Sequence, residues 1–420
     1  MKEALLAAYL RDGDSVLVGQ AAAEPVTLVD ELLRAAAPLT EVTAMCGLTV
    51  NDRWLDAPDA GVTVSSYLAH GPLRILAERG ALEVLPWHYS EMERHFRDRS
   101  LPVDVVLLQV SPPDNDGFYS FGTTVDHAAF VAQTARTVVV EINDQMPATR
   151  SALRLHRSQV TASREVSTPL ATTHRPVPTD AERLVAAHVR RLVPDGATVQ
   201  LGIGGLAQAI GSAISARRDL RVRSGLVGDW LLEMARAGAL RSSHDAVVAG
   251  LALGSEELYE LLATSEQVRF APMSGQLRDR DPAWDAPAFS LNSAIEVDLL
   301  GQVNAEVAAG RYVGGVGGQV DFLRAARRTR VGGAVVALPS TSPRGASRIV
   351  STLSGPVTSL KSDVDFVVTE WGVADLRSAT LSERASRMIA VADPSHREAL
   401  EDARPRWCRP SRGHGAAHGG

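Results

Sequence analysis

Cysteine is scarce in this chain, whose 420 residues contain only Cys46 and Cys408. The two lie far apart in sequence and match no known spacing of metal ligands, and they do not make a disulfide scaffold. The histidines form no metal-binding pattern either, so the sequence predicts no metal site. So few cysteines favour a reducing environment, and we expect a cytoplasmic protein.

Long hydrophobic runs are also missing. No segment approaches the ~18 apolar residues needed to cross a bilayer, and the N-terminus has no apolar signal-peptide core. The formal net charge of −6 gives no electrostatic reason to expect nucleic acid or an anionic membrane as a partner. A hydrophobic content of 45% with 22% charged residues is typical of an ordinary globular protein.

The length of the chain predicts two domains. Apolar strands such as the one at 103–110 alternate with helices such as the one at 180–192, which predicts an α/β fold with mostly parallel sheets. Residues 168–178 hold three prolines and predict a linker. We therefore expect domains at 1–178 and 179–403, and a disordered tail at 404–420.

One pattern occurs near the start of both predicted domains. Residues 12–19 read DGDSVLVG and residues 195–202 read DGATVQLG. In each copy Asp-Gly precedes a hydroxyl residue, a valine and an apolar residue before a closing glycine, and a helix is predicted next. The repetition suggests that the two domains share one fold.

A glycine turn at 202–206 separates a predicted strand from a helix expected at 206–218. Such a turn exposes backbone N–H groups at a helix N-terminus, where a phosphate, a thioester carbonyl or an oxyanion can bind. Tight packing would also explain the glycines, and the pattern G-x-G-x-x-A fits a dinucleotide site. The dinucleotide interpretation is disfavoured because the next strand ends in Arg223-Ser224-Gly225, without a carboxylate for a ribose. Residues 224–229 are predicted as a second turn beside the first.

Two further segments stand out. Residues 314–318 contain four glycines before another predicted helix, so their backbone can come very close to a ligand, although a flexible loop would explain them equally well. Residues 290–300 alternate between apolar and polar and predict one strand, with Glu296 and Asp298 on the same face.

Several distinctive motifs occur in a fixed order along the chain. They are SPPD at 111–114, EINDQ at 141–145, LGIGG at 201–205, LALGS at 251–255, NSAIEVDL at 292–299, GGVGGQVDF at 314–322 and VTEWGVA at 368–374. With these motifs, from about residue 10 to about residue 400, the chain resembles the acetyl-CoA hydrolase/transferase family, close to 4-hydroxybutyrate and butyryl-CoA:acetate CoA-transferases.

The resemblance implies two similar CoA-transferase-type α/β domains with an active-site cleft between them. Acyl-CoA would bind there as a substrate, mainly to the C-terminal domain, and no cofactor would be bound permanently. A small carboxylate is implied as the acceptor, and a homodimer is a possible assembly. The residues expected to contact CoA are Gly202, Ile203, Gly204, Gly205, Leu206, Gly225, Val316, Gly317, Gly318 and Gln319.

In this family a glutamate attacks the thioester, forms an acyl-glutamyl anhydride and then becomes a glutamyl-CoA thioester. The glutamate lies in a His-Ser/Thr-Glu motif that is followed four residues later by Asp. The corresponding segment here runs from Arg223 to Asp229, and Gly225 takes the place of the glutamate. Because glycine has no side chain, the sequence excludes ping-pong transfer through this position.

Three interpretations stay open. Another carboxylate could act, with Glu296 and Asp229 as the candidates, although a solvated strand face and a cap of the helix at 230–237 are their ordinary roles. Water or another nucleophile could attack the bound thioester directly, or the acyl-CoA could serve different acyl-transfer chemistry. The chain could also be a degenerate CoA-binding or partner subunit. We expect an acyl-CoA-utilising enzyme that performs acyl-CoA:carboxylate CoA transfer or acyl-CoA hydrolysis.

Overall fold

A computed structural model describes residues 5–277, 282–284, 286–329 and 331–409. Two large, mostly parallel sheets with helices packed against them form the body of the molecule. This architecture confirms the predicted α/β class. No helix in the described ranges is long and apolar enough to cross a membrane.

The first sheet has seven strands, all parallel, in the order β4-β3-β2-β1-β5-β7-β9. The strands of this half are β1 (Ser15–Val18), β2 (Thr43–Met45), β3 (Thr63–Ser66), β4 (Leu82–Val84), β5 (Val105–Val110), β6 (Phe118–Tyr119), β7 (Thr137–Asn143), β8 (Leu155–His156) and β9 (Ala162–Val166). All residues of β5 are buried, as expected for a strand between two parallel neighbours.

The second sheet has eight strands in the order β13-β12-β11-β10-β14-β19-β21-β22, and only the β21–β22 pair is antiparallel. The strands of this half are β10 (Thr198–Leu201), β11 (Arg221–Val227), β12 (Val247–Ala252), β13 (Val268–Phe270), β14 (Ala288–Asn292), β15 (Glu296–Asp298), β16 (Val303–Asn304), β17 (Val307–Ala308), β18 (Arg311–Tyr312), β19 (Gly332–Ala337), β20 (Ile349–Val350), β21 (Phe366–Thr369) and β22 (Gly372–Asp375).

The α-helices follow the same alternation. They are α1 (Val26–Ala36), α2 (Pro72–Glu78), α3 (Met92–Arg97), α4 (His127–Val131), α5 (Asp180–Leu192), α6 (Gly205–Ile214), α7 (Trp230–Arg236), α8 (Glu256–Thr264), α9 (Met273–Gln276), α10 (Gln319–Ala326), α11 (Leu381–Ala390) and α12 (Arg397–Asp402). Helix α5 has the predicted bounds because Thr179 and Glu182 form a capping box at its start. It ends at Leu192, shortly before Pro194, which cannot continue a helix.

The two sheets have the same topology. Strand β1 is flanked by β2 and β5, and β10 is flanked in the same way by β11 and β14. On one side of each central strand the next three strands of the chain follow in order, and later strands extend the other side. The predicted shared fold of the two halves is therefore confirmed.

Residues 167–179 join the two sheets without a helix or strand of their own. One hydrophobic cluster runs through both halves, from Leu17 and Val106 in the first to Val199 and Trp230 in the second. Two smaller clusters each belong to one half. The domain boundary at residue 178 stays a prediction.

Three local predictions were wrong. The expected strand at 290–300 is two strands, β14 in the large sheet and β15 in a small sheet with β16 and β20. The turn expected at 224–229 is shorter, because β11 continues through Gly225 to Val227. Finally, the disordered tail was predicted to start at residue 404, which is too early in the chain. Residues 406–408 form a 3₁₀ turn that buries Cys408, while residues 410–420 lie outside the described residues.

Candidate active site

Two adjoining depressions mark the C-terminal ends of the central strands of the second sheet. The first, which we call the glycine groove, has a volume of about 610 Å³ and lies between the Gly202–Leu206 turn and the Pro339–Pro343 segment. The second, the interdomain cavity, has a volume of about 500 Å³ and is lined by residues of both halves. Parallel α/β sheets place ligands at this edge.

The two depressions share one wall. Gly202, Ile203, Asn292 and Ser293 line both the groove and the cavity. A ligand that lies in the groove can therefore extend into the cavity past these four residues.

The glycine turn leaves open space around Gly202 and Gly204, whereas the side chain of Glu182 lies against Gly205. A Cβ atom at Gly202 or at Gly204 would meet no other atom within 4 Å. Gly204 has φ +102°, a conformation that residues with a side chain disfavour, and it lies immediately before α6. Because the first N–H groups of a helix have no partner within it, this turn offers donors and a positive dipole end to an anionic or carbonyl oxygen.

Arg348 is a charged residue in the wall of the groove. Its guanidinium donates to the carbonyl oxygen of Ile295 at 2.8 Å and to that of Ala294. Burial lowers the pKa of this guanidinium from its ordinary value. The two carbonyl contacts hold Arg348 against the segment that connects β14 to β15.

The second glycine cluster crosses from one half of the molecule to the other. The carbonyl oxygens of Gly314 and Gly317 accept hydrogen bonds from the backbone N–H groups of Ala69 at 2.8 Å and Tyr89 at 2.9 Å. A Cβ atom at Gly314 would lie 2.0 Å from the carbonyl oxygen of Ala305, so the close approach requires glycine there.

This loop forms one side of the interdomain cavity. Gly317, Gly318 and Gln319 line the cavity, whereas Val316 is not among the residues that line either depression. Helix α10 begins at Gln319, so a second helix N-terminus lies beside the cavity.

Gly225 lines the interdomain cavity from within β11. Ser224, the preceding residue, donates from Oγ to the carbonyl oxygens of Leu201 at 2.5 Å and Leu226 at 3.0 Å, which fixes β11 against the end of β10. A Cβ atom at Gly225 would meet only Cε2 of Phe322, at 3.5 Å. The space beside Gly225 is therefore open to a group of side-chain size.

A polar cluster lies between β10 and β14 at the same edge. Oε1 of Gln200 accepts from Oγ of Ser290 at 2.7 Å and from Nδ2 of Asn292 at 2.9 Å. Asn292 also donates to Oγ of Ser290 at 2.7 Å. These bonds fix the orientation of the Gln200 and Asn292 amides, both of which line the cavity.

The first half contributes two tyrosines to the cavity, and nothing in the sequence singled them out. Tyr67 donates to Oε1 of Gln20 at 2.7 Å, and the hydroxyl of Tyr89 accepts from Nε2 of Gln20 at 3.3 Å. Nε2 of Gln20 also donates to Asp126. Burial, reinforced by the charge of Asp126, raises the pKa of both tyrosine hydroxyls. Both therefore keep their protons at neutral pH.

The two carboxylates predicted as catalytic candidates lie apart from each other and line neither depression. Asp229 is buried and accepts from the backbone N–H of Ser255 at 3.0 Å and its Oγ at 2.7 Å. It occupies the N-cap position of α7, but its side chain makes no capping hydrogen bond in the described structure, so the expected capping role was wrong.

Glu296 lies in β15 rather than on a solvated strand face. It is buried, and its Oε1 accepts from Nδ2 of Asn304 at 2.9 Å and from Oγ of Ser354 at 2.9 Å. The backbone N–H of Ser354 donates to the same oxygen at 2.5 Å. These contacts connect β15 to its neighbouring segments.

The sequence and the fold match a known class of enzymes. Residues 1–164 match the acetyl-CoA hydrolase/transferase N-terminal domain, and residues 254–404 match the C-terminal domain of the same family. The 4-hydroxybutyrate coenzyme A transferase of Clostridium kluyveri is 31% identical over 395 residues, which cover 92% of this chain and 92% of the relative.

Solved structures agree. The crystal structure of RipA from Yersinia pestis superposes with a TM-score of 0.87 at 27% identity, covering 96% of this chain and 95% of RipA. The 4-hydroxybutyrate CoA-transferase of Porphyromonas gingivalis gives a TM-score of 0.78 at 32% identity and covers 94% of each chain.

The chain belongs to the acetyl-CoA hydrolase/transferase family. The predicted family is thereby confirmed, and with it the prediction of an enzyme of the CoA-transferase and acyl-CoA hydrolase class. Enzymes of this class use CoA thioesters as substrates.

Proposed function

We propose that this protein transfers CoA from an acyl-CoA thioester to a small carboxylate. The CoA portion lies in the glycine groove and the thioester in the interdomain cavity. The observation that carries this proposal is the wall shared by the two depressions, formed by Gly202, Ile203, Asn292 and Ser293. A long ligand with one reactive end fits a groove that continues into a second depression.

The polar groups at the junction of the two depressions favour such a ligand. The start of α6 directs N–H groups at the junction, where the thioester oxygen becomes negative as a nucleophile attacks its carbonyl. Helix α10 begins at Gln319, which also lines the cavity. The fixed amides of Gln200 and Asn292 supply further polar groups, so this site is suited to bind and polarise a carbonyl.

The covalent glutamyl route is not available to Gly225, which has no side chain. The contacts of Asp229 and Glu296 do not favour either of them as a relocated nucleophile. Each carboxylate accepts several hydrogen bonds, and neither lines the depressions. We infer that the attacking group does not belong to residue 225.

Thioester hydrolysis is the second candidate function, because the open space beside Gly225 has room for a water molecule as well. A non-catalytic CoA-binding subunit is the remaining alternative. The acyl group, the homodimer and the cytoplasmic location stay predictions.

One experiment separates these functions. The protein is incubated with acetyl-, butyryl- or succinyl-CoA together with acetate or propionate, and mass spectrometry measures free CoA and exchanged thioester. We expect exchanged thioester with at least one pair. Free CoA alone would support hydrolysis, and neither product in a protein that binds CoA by calorimetry would support a non-catalytic role.

A further inference from the structure

The interdomain cavity contains no acidic side chain and no cysteine among the described residues that line it. Its one aliphatic hydroxyl belongs to Ser293, which is exposed. Its one histidine, His70, makes no side-chain hydrogen bond to Ser293 in the described structure. An activated serine needs a base within hydrogen-bond reach, so these two residues do not form a nucleophile–base pair.

Carboxylates near the cavity are already held by other groups. Glu306, beside the lining residue Ala305, accepts from the Tyr312 hydroxyl at 2.7 Å and from Oγ1 of Thr358 at 2.7 Å. Glu306 is buried and lies outside the lining of the cavity. Together with the contacts of Asp229 and Glu296, this means that no carboxylate among the described residues is placed in the lining of the cavity to attack a thioester.

The space beside Gly225 can hold a small acid. A Cβ atom there would touch only Phe322, at 3.5 Å, and Leu226, Leu251 and Met273 add apolar surface elsewhere in the lining of the same cavity. The absence of a negative side chain in the described lining removes repulsion against a carboxylate, and the starts of α6 and α10 add positive dipole ends. The cavity therefore combines apolar walls with a setting that tolerates an anion.

We propose that the acceptor acid itself is the nucleophile, and that its carboxylate occupies the space beside Gly225 and attacks the bound thioester directly. This inference rests on the proposed CoA transfer and specifies its route. Donor thioester and acceptor acid must then be bound together, and no covalent enzyme intermediate forms.

The chemistry balances without another reactant. An acceptor oxygen forms a bond to the thioester carbonyl carbon, the carbon–sulfur bond breaks, and the products are a mixed anhydride and the CoA thiolate. The thiolate then attacks the carbonyl carbon that came from the acceptor. The new acyl-CoA forms, and the donor acid leaves with one oxygen atom of the acceptor. A mixed anhydride is more reactive than a thioester, so the first step is uphill and the second step, which forms the new thioester, is downhill.

An oxygen-label experiment tests this route. Enzyme in excess over butyryl-CoA is mixed with acetate labelled with ¹⁸O in both oxygens, in unlabelled water, and a single turnover is analysed by mass spectrometry. We expect acetyl-CoA together with butyrate that carries one ¹⁸O. Unlabelled butyrate formed with acetyl-CoA would mean that an enzyme carboxylate attacked, and would overturn the proposal.

The other outcomes are equally distinct. Unlabelled butyrate without acetyl-CoA, which becomes labelled when the water carries ¹⁸O, would mean hydrolysis and would also overturn the proposal. If butyryl-CoA is neither consumed nor bound, the proposed function itself fails. If butyryl-CoA proves a poor donor, the same experiment uses whichever thioester the enzyme consumes.

Substitutions at residue 225 locate the acceptor. Gly225→Leu fills the space, and we expect the acceptor-dependent rate to fall at least about tenfold more than the butyryl-CoA affinity measured by calorimetry. Ala216→Leu adds similar bulk at an exposed position outside the cavity and should leave both quantities unchanged. An unchanged acceptor-dependent rate in Gly225→Leu would show that the acceptor binds elsewhere.

Gly225→Glu provides the converse test. It places a carboxylate in the same space, and we expect the single-turnover butyrate to lose its ¹⁸O because the new side chain attacks first. If a folded Gly225→Glu enzyme that binds butyryl-CoA still releases singly labelled butyrate at the original rate, the proposed position of the acceptor is wrong.

Discussion

The two halves begin with the same strand and turn but use the turn differently. After β1, Gly19 is closely packed, and a Cβ atom there would lie 2.9 Å from the carbonyl oxygen of Ala23. After β10, a Cβ atom at Gly202 would meet no other atom within 4 Å. In the first half the side chain of Gln20 folds back over the turn and accepts from the backbone N–H of Leu48 at 2.8 Å. In the second half the side chain of Glu182 lies against Gly205 instead, and Gly202 stays uncovered by the described residues.

The next strand repeats the contrast. Ser15 pairs with Thr43 in the first sheet and Thr198 pairs with Arg221 in the second, so Gly47 and Gly225 occupy corresponding positions four residues further on. A Cβ atom at Gly47 would lie 1.9 Å from Oε1 of Gln20, whereas one at Gly225 would meet only Phe322 at 3.5 Å.

The comparison explains why the glycine groove is lined by the second half. In the first half, Gln20 and its partners fill the edge where the central strands end, and Tyr67 and Tyr89 project from this filled edge toward the second half. In the second half the equivalent edge is empty and becomes the groove and the cavity. A shared fold therefore supplies a ligand site only where its own side chains leave the edge open.

The largest effect should follow from closing the open turn. Gly202→Leu adds bulk where no atom lies within 4 Å, so the fold should tolerate it, but the side chain would block the junction of groove and cavity. We expect butyryl-CoA affinity to fall at least about 1000-fold, or ~4 kcal/mol, with little change in Tm. Calorimetry and thermal denaturation measure the two quantities, and retained affinity in the folded variant would contradict the placement of CoA.

The next prediction concerns Glu24, a buried carboxylate in the filled half. It accepts from Nε1 of Trp54 at 2.6 Å and from Oγ1 of Thr49 at 2.5 Å, and burial raises its pKa from the ordinary value of 4.5 to about 7. Between pH 4.5 and 7 the folded protein keeps a proton that the unfolded chain has lost. The contribution of Glu24 to the free energy of unfolding is therefore present in full below pH 4.5. It decreases as the pH rises to about 7, by about 3 kcal/mol in total.

Glu24→Gln mimics the protonated form and should remove this dependence. We expect urea unfolding between pH 5 and pH 8 to show a smaller loss of stability in the variant than in the original protein, by up to the same amount. Glu83→Gln, at an exposed position on β4, serves as the control. Parallel pH profiles for the original protein and Glu24→Gln would show that Glu24 does not bind the proton.

The smallest expected effect is on the free energy of unfolding, when alanine replaces each of the two corresponding glycines, Gly47 and Gly225. Gly47→Ala forces the buried Gln20 side chain to move and break its bonds, which should lower the free energy of unfolding by about 2 kcal/mol. Gly225→Ala makes an ordinary contact with Phe322 and should change it by less than about 0.5 kcal/mol. Equal losses in urea denaturation would mean that the two edges are equally filled.

Much of the fold could be predicted from the sequence. Helix α5 has a capping box and a following proline, both local signals, and its bounds were predicted correctly. The duplicated Asp-Gly pattern predicted the shared topology. The strand at 290–300 was predicted wrongly because alternation has the same period in β14 and in β15, so it could not show that the chain leaves one sheet for another.

The site was less accessible to sequence analysis. Glycine at 225 suggested a turn, yet it lies in β11, where a Cβ on the neighbouring Gly250 would lie 2.9 Å from the carbonyl oxygen of Gly225. Glycine at 250 reflects close packing between strands, which is a tertiary property. Tyr67 and Tyr89 reach the cavity only because the two halves pack together, and no local pattern could reveal that.

The crossing loop at 314–318 also affects how the molecule can come apart. Its carbonyl oxygens accept from Ala69 and Tyr89, and just beyond it Asp321 accepts from Oγ of Ser90 at 2.6 Å. A fragment cut in the 167–179 connector would leave these strongly polar groups without partners. The two halves thus share a fold but depend on each other. Neither half can be exchanged, truncated or redesigned unless the contacts that it makes with the other half are replaced.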